Sequence, residues 1–173
     1  MNIANTKKEN NIAEYIIYMF QTEDLIRSYE LDIKRIKKNL ISLIPGDEVE
    51  KEGLRIWYSK IISSMKKEQI AMNGHLKEVQ DIIIELQLIF NTLKNDDKTF
   101  KELTISAQPF FDKNKADNNE VTICLNGMYA YLILKTDDIP VPELTTRSAE
   151  LFGEVLSYLS YKYKQKHFAG DTK

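Results

Sequence analysis

Apolar residues recur every three or four positions over 12–29 (IAEYIIYMFQTEDLIRSY), the pattern of an amphipathic helix. At roughly 100° per residue, Ile12, Ile16, Met19, Phe20 and Ile26 share one face, with Tyr15 at its edge, while Glu14 and Gln21 fall opposite. Glu23 falls in the middle of the apolar face, between Met19 and Ile26, and Arg27 lies one turn further on. A carboxylate within an apolar stripe persists only when paired or hydrogen-bonded. Arg27, at i+4, is the nearest residue able to pair with it.

The same periodicity, punctuated by turn residues, divides the rest of the chain. A first helix is expected over 10–29, with Asn11 as N-cap and Glu14 closing a capping box. A shorter one follows over 31–44, with Leu31, Ile33, Ile36, Leu40 and Ile44 as its stripe and Pro45-Gly46 as its stop. A third, over 48–72, puts Leu54, Tyr58, Ile61, Met65 and Met72 on one face, flanked by Trp57 and Ile62, and breaks at Asn73-Gly74. A fourth, over 75–93, has a broad apolar face from Val79 to Leu93, and His75 projects onto it at the N-terminal end. A fifth, over 97–114, has Phe100, Leu103, Ala107 and Phe111 at helical spacing, but Pro109 must kink or divide it.

Residues 121–135 (VTICLNGMYAYLILK) carry opposing signals. Asn126-Gly127 between apolar runs is a strong hairpin signal. Against it stand a capping-box pattern from Asp117 to Glu120, the helix-favouring Met128, Ala130, Leu132 and Leu134, and the lack of any other strand to join. The expectation is a helix buried on most sides, with Gly127 allowing a close helix contact; a hairpin is the alternative. A last helix starts near Pro142, buries Leu144, Ser148, Leu151, Val155, Tyr158 and Leu159, and fades into a basic end at 162–167. The expected fold is all-α: a single domain over 1–173 with six to seven helices. The first four form an antiparallel bundle, further C-terminal helices pack on it, and 1–8 and 168–173 are frayed ends.

Composition narrows the function classes. The net charge of −2 gives the molecule no electrostatic reason to seek nucleic acid or an anionic membrane. A single cysteine, Cys124, allows no internal disulfide, and the polar start of the chain has no leader-like apolar segment, so a cytoplasmic setting is expected. No apolar run approaches the ~20 residues of a membrane span.

The candidate chemistry is one cluster. In an antiparallel succession, the end of the first helix lies level with the start of the fourth, which brings Glu23, Arg27 and His75 together. Such a set can bind a ligand or move a proton, because histidine titrates near neutrality. It can equally be a satisfied salt-bridge network that fixes helix register, and register is the preferred reading. Metal is not expected: His75-x-x-Glu78 occurs once, and His167 and Cys124 are too few further ligands. No GxSxG or phosphate-binding glycine loop is present, no cofactor is implied, and Cys124 lies in an apolar run where a thiol is inert. The basic clusters at 34–38 (KRIKK) and 161–167 (YKYKQKH) read as solvated faces rather than a nucleic-acid site. Tyr18 and Tyr29 fall off the main face of the first helix and mark a second packing surface or a dimer interface.

The run 7–33 (KKENNIAEYIIYMFQTEDLIRSYELDI), with Trp57-Tyr58, the NGHL at 73–76 and the C-L-x-x-M-Y-x-Y-L-I-L-K segment at 124–135, resembles the uncharacterised bacterial family known as domain of unknown function 4924, associated with Bacteroidetes. The resemblance spans nearly the whole chain, and IAEYI…EDLIR is its most specific part. It implies one all-helical cytoplasmic domain and weighs against the hairpin. It brings no activity, cofactor or catalytic residue. The first functional expectation is therefore a non-enzymatic helical interaction or structural protein, as a homodimer or with a protein partner. The alternative is a small-molecule binder or enzyme built on Glu23, Arg27 and His75.

Overall fold

The structure, a computed structural model, describes residues 3–114 and 119–168. Among the described residues there are eight α-helices and no strand: α1 (Ile3–Asn10), α2 (Ile12–Ser28), α3 (Ile33–Asn39), α4 (Glu48–Lys67), α5 (Lys77–Asp96), α6 (Lys98–Lys113), α7 (Glu120–Thr136) and α8 (Glu143–Phe168). A 3-10 turn covers Ile41–Leu43. The all-α class holds, and the expected count of six to seven is corrected to eight.

The additional helix is α1, where frayed chain was expected. Ala4 is buried and Lys7 reaches Glu14 at 3.0 Å, so a polar octapeptide gains the anchoring that its composition does not announce. Asn11 separates α1 from α2 and caps the latter as expected, its Oδ1 accepting the Glu14 N–H. The frayed tail expected at 168–173 lies, beyond Phe168, outside the described residues, as do residues 1 and 2.

Two compact units can be distinguished: Met1–Tyr18 with Asp81–Lys173, and Met19–Gln80. The larger is organised on α8, against which α7, α6 and α1 pack. Its core is aromatic. Phe90 meets Phe100 and Phe111 edge-on at centroid distances of 5.2 and 6.2 Å, and Phe111 stacks on Phe152 at 5.9 Å. Ser160 of α8 accepts the Ala13 N–H, one of the orphan donors in the first turn of α2. Pro109 does not divide α6. Its missing bond falls on an exposed turn, since Ile105 is 63% exposed, and water can take the freed carbonyl. The helix expected over 121–135 is α7, capped by Asn119, whose Oδ1 accepts the Thr122 N–H; the expected box residue Asp117 lies outside the described residues. Cys124 is fully buried, and burial, with the nearby Glu120 charge, pushes its thiol far above the ordinary range, so it is unreactive as expected. No helix among the described residues is long and apolar enough to cross a membrane.

Asp97 ties the α5–α6 corner to α8. Its Oδ1 caps α6 by accepting the Phe100 N–H, and its Oδ2 accepts the Tyr158 hydroxyl at 2.6 Å. The Tyr158 bond first, and the Phe100 bond second, hold the Asp97 carboxyl below its usual range, and the same hydroxyl bond pushes the Tyr158 phenol up. A depressed carboxyl contributes stability above its unfolded pKa and loses it as pH falls through the lower folded value. Tyr158→Phe should therefore lower the urea midpoint at neutral pH, and the deficit against wild type should shrink in acid. A deficit of the same size at acid and neutral pH would show that the ionised bond is not its source.

The smaller unit holds α3, the 3-10 turn and α4 in mutual contact. Met19, Phe20, Ile26, Leu31, Ile36, Tyr58, Ile61, Ile62 and Met65 are buried, in line with the stripes expected from α2 to α4, whereas Ile33, Leu40, Ile44 and Leu54 are only half-buried and Ile41, outside the expected stripe, is buried. Met72, expected on the buried face of the third helix, is 88% exposed, because α4 ends at Lys67. It ends in a left-handed residue, Gln69 (φ 59°), with the Ile70 N–H returning to the Met65 carbonyl. The loop that follows is what α2 holds.

Candidate functional site

Glu23 belongs to the buried stripe of α2, and its side chain is fully buried. Its two oxygens are both used. Oε1 accepts the Leu76 N–H at 3.0 Å, and Oε2 meets His75 Nδ1 at 2.6 Å. A carboxylate only accepts, so Nδ1 donates. The Leu76 carbonyl accepts from Val79 and Gln80, so its own N–H is one of the orphan donors at the start of α5. Glu68 takes the next one, accepting from the Lys77 N–H at 2.7 Å. Two carboxylates borrowed from other elements thus cap α5, at the end where its dipole favours negative charge.

His75 stands in the loop just before α5, not on the helix. Its ring stacks on Phe20 at 3.8 Å between centroids with an interplanar angle of 20°. Phe20 sits three residues before Glu23, so one turn of α2 supplies both the platform and the anchor. Nδ1 faces the buried carboxylate, the side chain is 34% exposed, and Nε2 has no partner among the described residues. The Gln80 amide donates to the His75 carbonyl, which fastens the same loop from α5.

Arg27 is placed close by but does not pair with Glu23, contrary to expectation. Its Nη1 bonds Asp24 at 2.8 Å, and its Nη2 donates to the carbonyls of Ile70 and Gly74. Its Nε is buried without a partner. The physical reason is reach and competition: Leu76 and His75 saturate the carboxylate, while the loop turns two unsatisfied carbonyls towards the guanidinium. Glu23 and Arg27, one turn apart, therefore grip one loop through opposite chemistries. The carboxylate holds donors at its C-terminal end, and the guanidinium holds acceptors along its middle.

A carboxylate and a histidine oriented by it, with the other ring nitrogen open, are the elements of a proton-transfer pair. Among the described residues no group of three or more His, Cys, Asp or Glu is placed to hold a metal. Two clefts among the described residues lie elsewhere. One, of about 310 Å³, is lined by Asn114, Ile123, Asn126, Gly127, Ala130 and Phe152. The other, of about 490 Å³, is lined by Ser28, Tyr29, Lys34, Arg35, Lys38 and Asn39. Periodicity had marked Tyr29 as off the main face of α2 but did not join it to the basic cluster at 34–38; that needed the reversal of the chain at residues 30–32.

No curated protein and no solved structure matches the chain. The family comparison does match, over 1–170 and so across both units and the Glu23–His75 latch: the chain belongs to the family described as Domain of unknown function (DUF4924).

Proposed function

We propose that this protein is a non-enzymatic interaction module that pairs with a second copy of itself through the C-terminal half of α7. One observation carries the reading. Met128 to Leu134 (MYAYLIL) are seven successive apolar residues, so every side of nearly two helical turns is apolar. Such a helix is expected to be covered all round. Here Val121, Ile123, Cys124 and Leu125 are buried, but Met128, Tyr129, Tyr131, Leu132 and Leu134 are only half-buried and Ile133 is 43% exposed. Successive exposed apolar positions are costly unless something binds them.

The occupant follows from the composition of the face. Between Val121 and Leu134 there is no charged residue, so no partner of opposite charge is called for. Tyrosine and methionine are enriched in interface cores, and homodimer interfaces are the more apolar kind. Glu23, Arg27 and His75 serve the scaffold in this reading, holding the α4–α5 loop in place, and the single buried thiol suits a reducing cytoplasm.

Light scattering on the eluting protein should give about twice the 20.2 kDa chain mass. Ile133→Lys, at a position open to solvent, should return the mass to that of one chain with its unfolding midpoint retained. A one-chain mass for the wild type at every concentration, or a doubled mass that survives Ile133→Lys, would remove this interface.

A further inference from the structure

α2 stops at Ser28 and the chain reverses through two left-handed residues, Glu30 (φ 56°) and Leu31 (φ 55°), before α3 begins at Ile33. Left-handed backbone is unfavourable for side chains of this size, and two in succession are held by the Leu31 N–H bonding the Ile26 carbonyl and by burial of Leu31. The reversal lays the last turn of α2 beside the outer face of α3, and the basic groove of about 490 Å³ opens there. That volume is in the range of small-ligand sites.

The charges in the groove are unequally used. Arg35 pairs with Glu30 at 2.9 Å and approaches Asp32 at 3.9 Å. Lys34 and Lys38, one helical turn apart, make no ion pair or side-chain hydrogen bond with any described residue. Like charges at that spacing repel, and an anion between them relieves the repulsion. The Ser28 hydroxyl donates its proton to the Leu25 carbonyl, which leaves its lone pairs facing outward as acceptors. Tyr29, half-buried, supplies an aromatic wall, and Asn39 adds both a donor and an acceptor. Cations from α3, and a ring and a hydroxyl from the end of the preceding helix, match a ligand with the same division of charged and neutral parts. The net charge of −2 over the whole chain makes an extended polyanion a poor match.

We propose that this groove binds a small phosphate monoester of nucleotide size, its phosphate between Lys34 and Lys38 and its planar or hydroxylated portion along Tyr29 and Ser28. The ammonium groups act as mobile point charges on the phosphate, and the Tyr29 ring selects for a flat ligand.

The test is a titration of isotope-labelled protein, at low salt, with adenosine monophosphate, inorganic phosphate and adenosine in separate series, following amide chemical shifts. Adenosine monophosphate should give saturable shifts confined to residues 28–39, phosphate a weaker effect at the lysine end, and adenosine alone none. Replacing both lysines, Lys34→Gln with Lys38→Gln, should weaken the nucleotide by roughly tenfold or more. Both side chains are exposed, so the variant keeps its fold. Tyr29→Leu should weaken the nucleotide more than it weakens phosphate. Shifts that scatter over the surface without saturating, adenosine binding as well as its phosphate, or a double-lysine variant that binds unchanged would each overturn the proposal. A short thymidine oligonucleotide that perturbs the same residues at far lower concentration than the mononucleotide would overturn it in favour of a nucleic-acid strand.

Discussion

Replacing Glu23 with alanine should lower the unfolding free energy by about 3 kcal/mol and the melting temperature by roughly 6–12 °C for a chain of this length. The carboxylate is fully buried, yet both of its oxygens are engaged. Its removal leaves the buried Leu76 N–H without an acceptor, which alone costs about 1–3 kcal/mol. It also frees His75 from its anchor and leaves a hollow where the buried side chain stood. Glu23→Gln should cost less, about 1 kcal/mol, because the amide oxygen can still take the Leu76 N–H and the ring can turn an acceptor nitrogen to the amide. Urea unfolding of the two variants separates the terms. If Glu23→Ala unfolds at the wild-type midpoint, the carboxylate does not hold the start of α5.

The size of that effect comes from a residue that stands out in the primary structure, and its partner set was legible only in part. A single acid on an otherwise apolar face, and a histidine at the start of a later apolar face, point to each other, because antiparallel succession sets both at one level. The structure adds that the contact is 2.6 Å and that the histidine precedes α5. Arg27 was misassigned because Asp24, three residues before it on the same helix, takes its Nη1, and the main-chain carbonyls of Ile70 and Gly74, which have no side-chain signature, take its Nη2. The path that presents them depends on Gln69 in a left-handed conformation, at a position where glycine would have announced the turn. The same difficulty hid the basic groove, because Glu30 and Leu31 turn the chain without a glycine.

Elsewhere the legible part was what periodicity controls. The buried stripe of α2 was read residue by residue, and the helix over 121–135 was recovered against a strong hairpin signal. What failed was decided by distant neighbours. The helix at Ile3–Asn10 is anchored by the burial of Ala4 and by the ion pair from Lys7 to Glu14, neither of which its own composition announces. Leu144, expected on the inner face of the last helix, is 56% exposed, whereas Phe152 and Val155, two and three turns on, are buried.

The close approach of α7 and α8 gives the second large effect. A Cβ at Gly127 would lie 2.7 Å from two ring carbons of Phe152. Neighbouring rings hold that ring in place: Phe152 is 4% exposed, stacks on Phe111 at 5.9 Å and meets Phe110 edge-on at 6.2 Å. Gly127→Ala gains about 1 kcal/mol of helix propensity but overpacks a tight contact at a cost of about 1–3 kcal/mol, so a net loss of about 1 kcal/mol is expected. Gly127→Leu cannot be absorbed without parting the helices, and should cost about 3 kcal/mol. Gly153 is the internal control. It lies on α8 under Met128, one position along from the Phe152–Gly127 contact, and a Cβ there would meet the Met128 sulfur at 3.9 Å, an ordinary contact. Gly153→Ala should therefore be neutral or stabilise by up to about 1 kcal/mol. Chemical unfolding of the three variants reads the geometry directly, since of two glycines on facing helices only Gly127 should lose stability on substitution by alanine. Were Gly127→Ala to unfold at or above the wild-type midpoint, α7 would stand further from α8 than the ring of Phe152 requires.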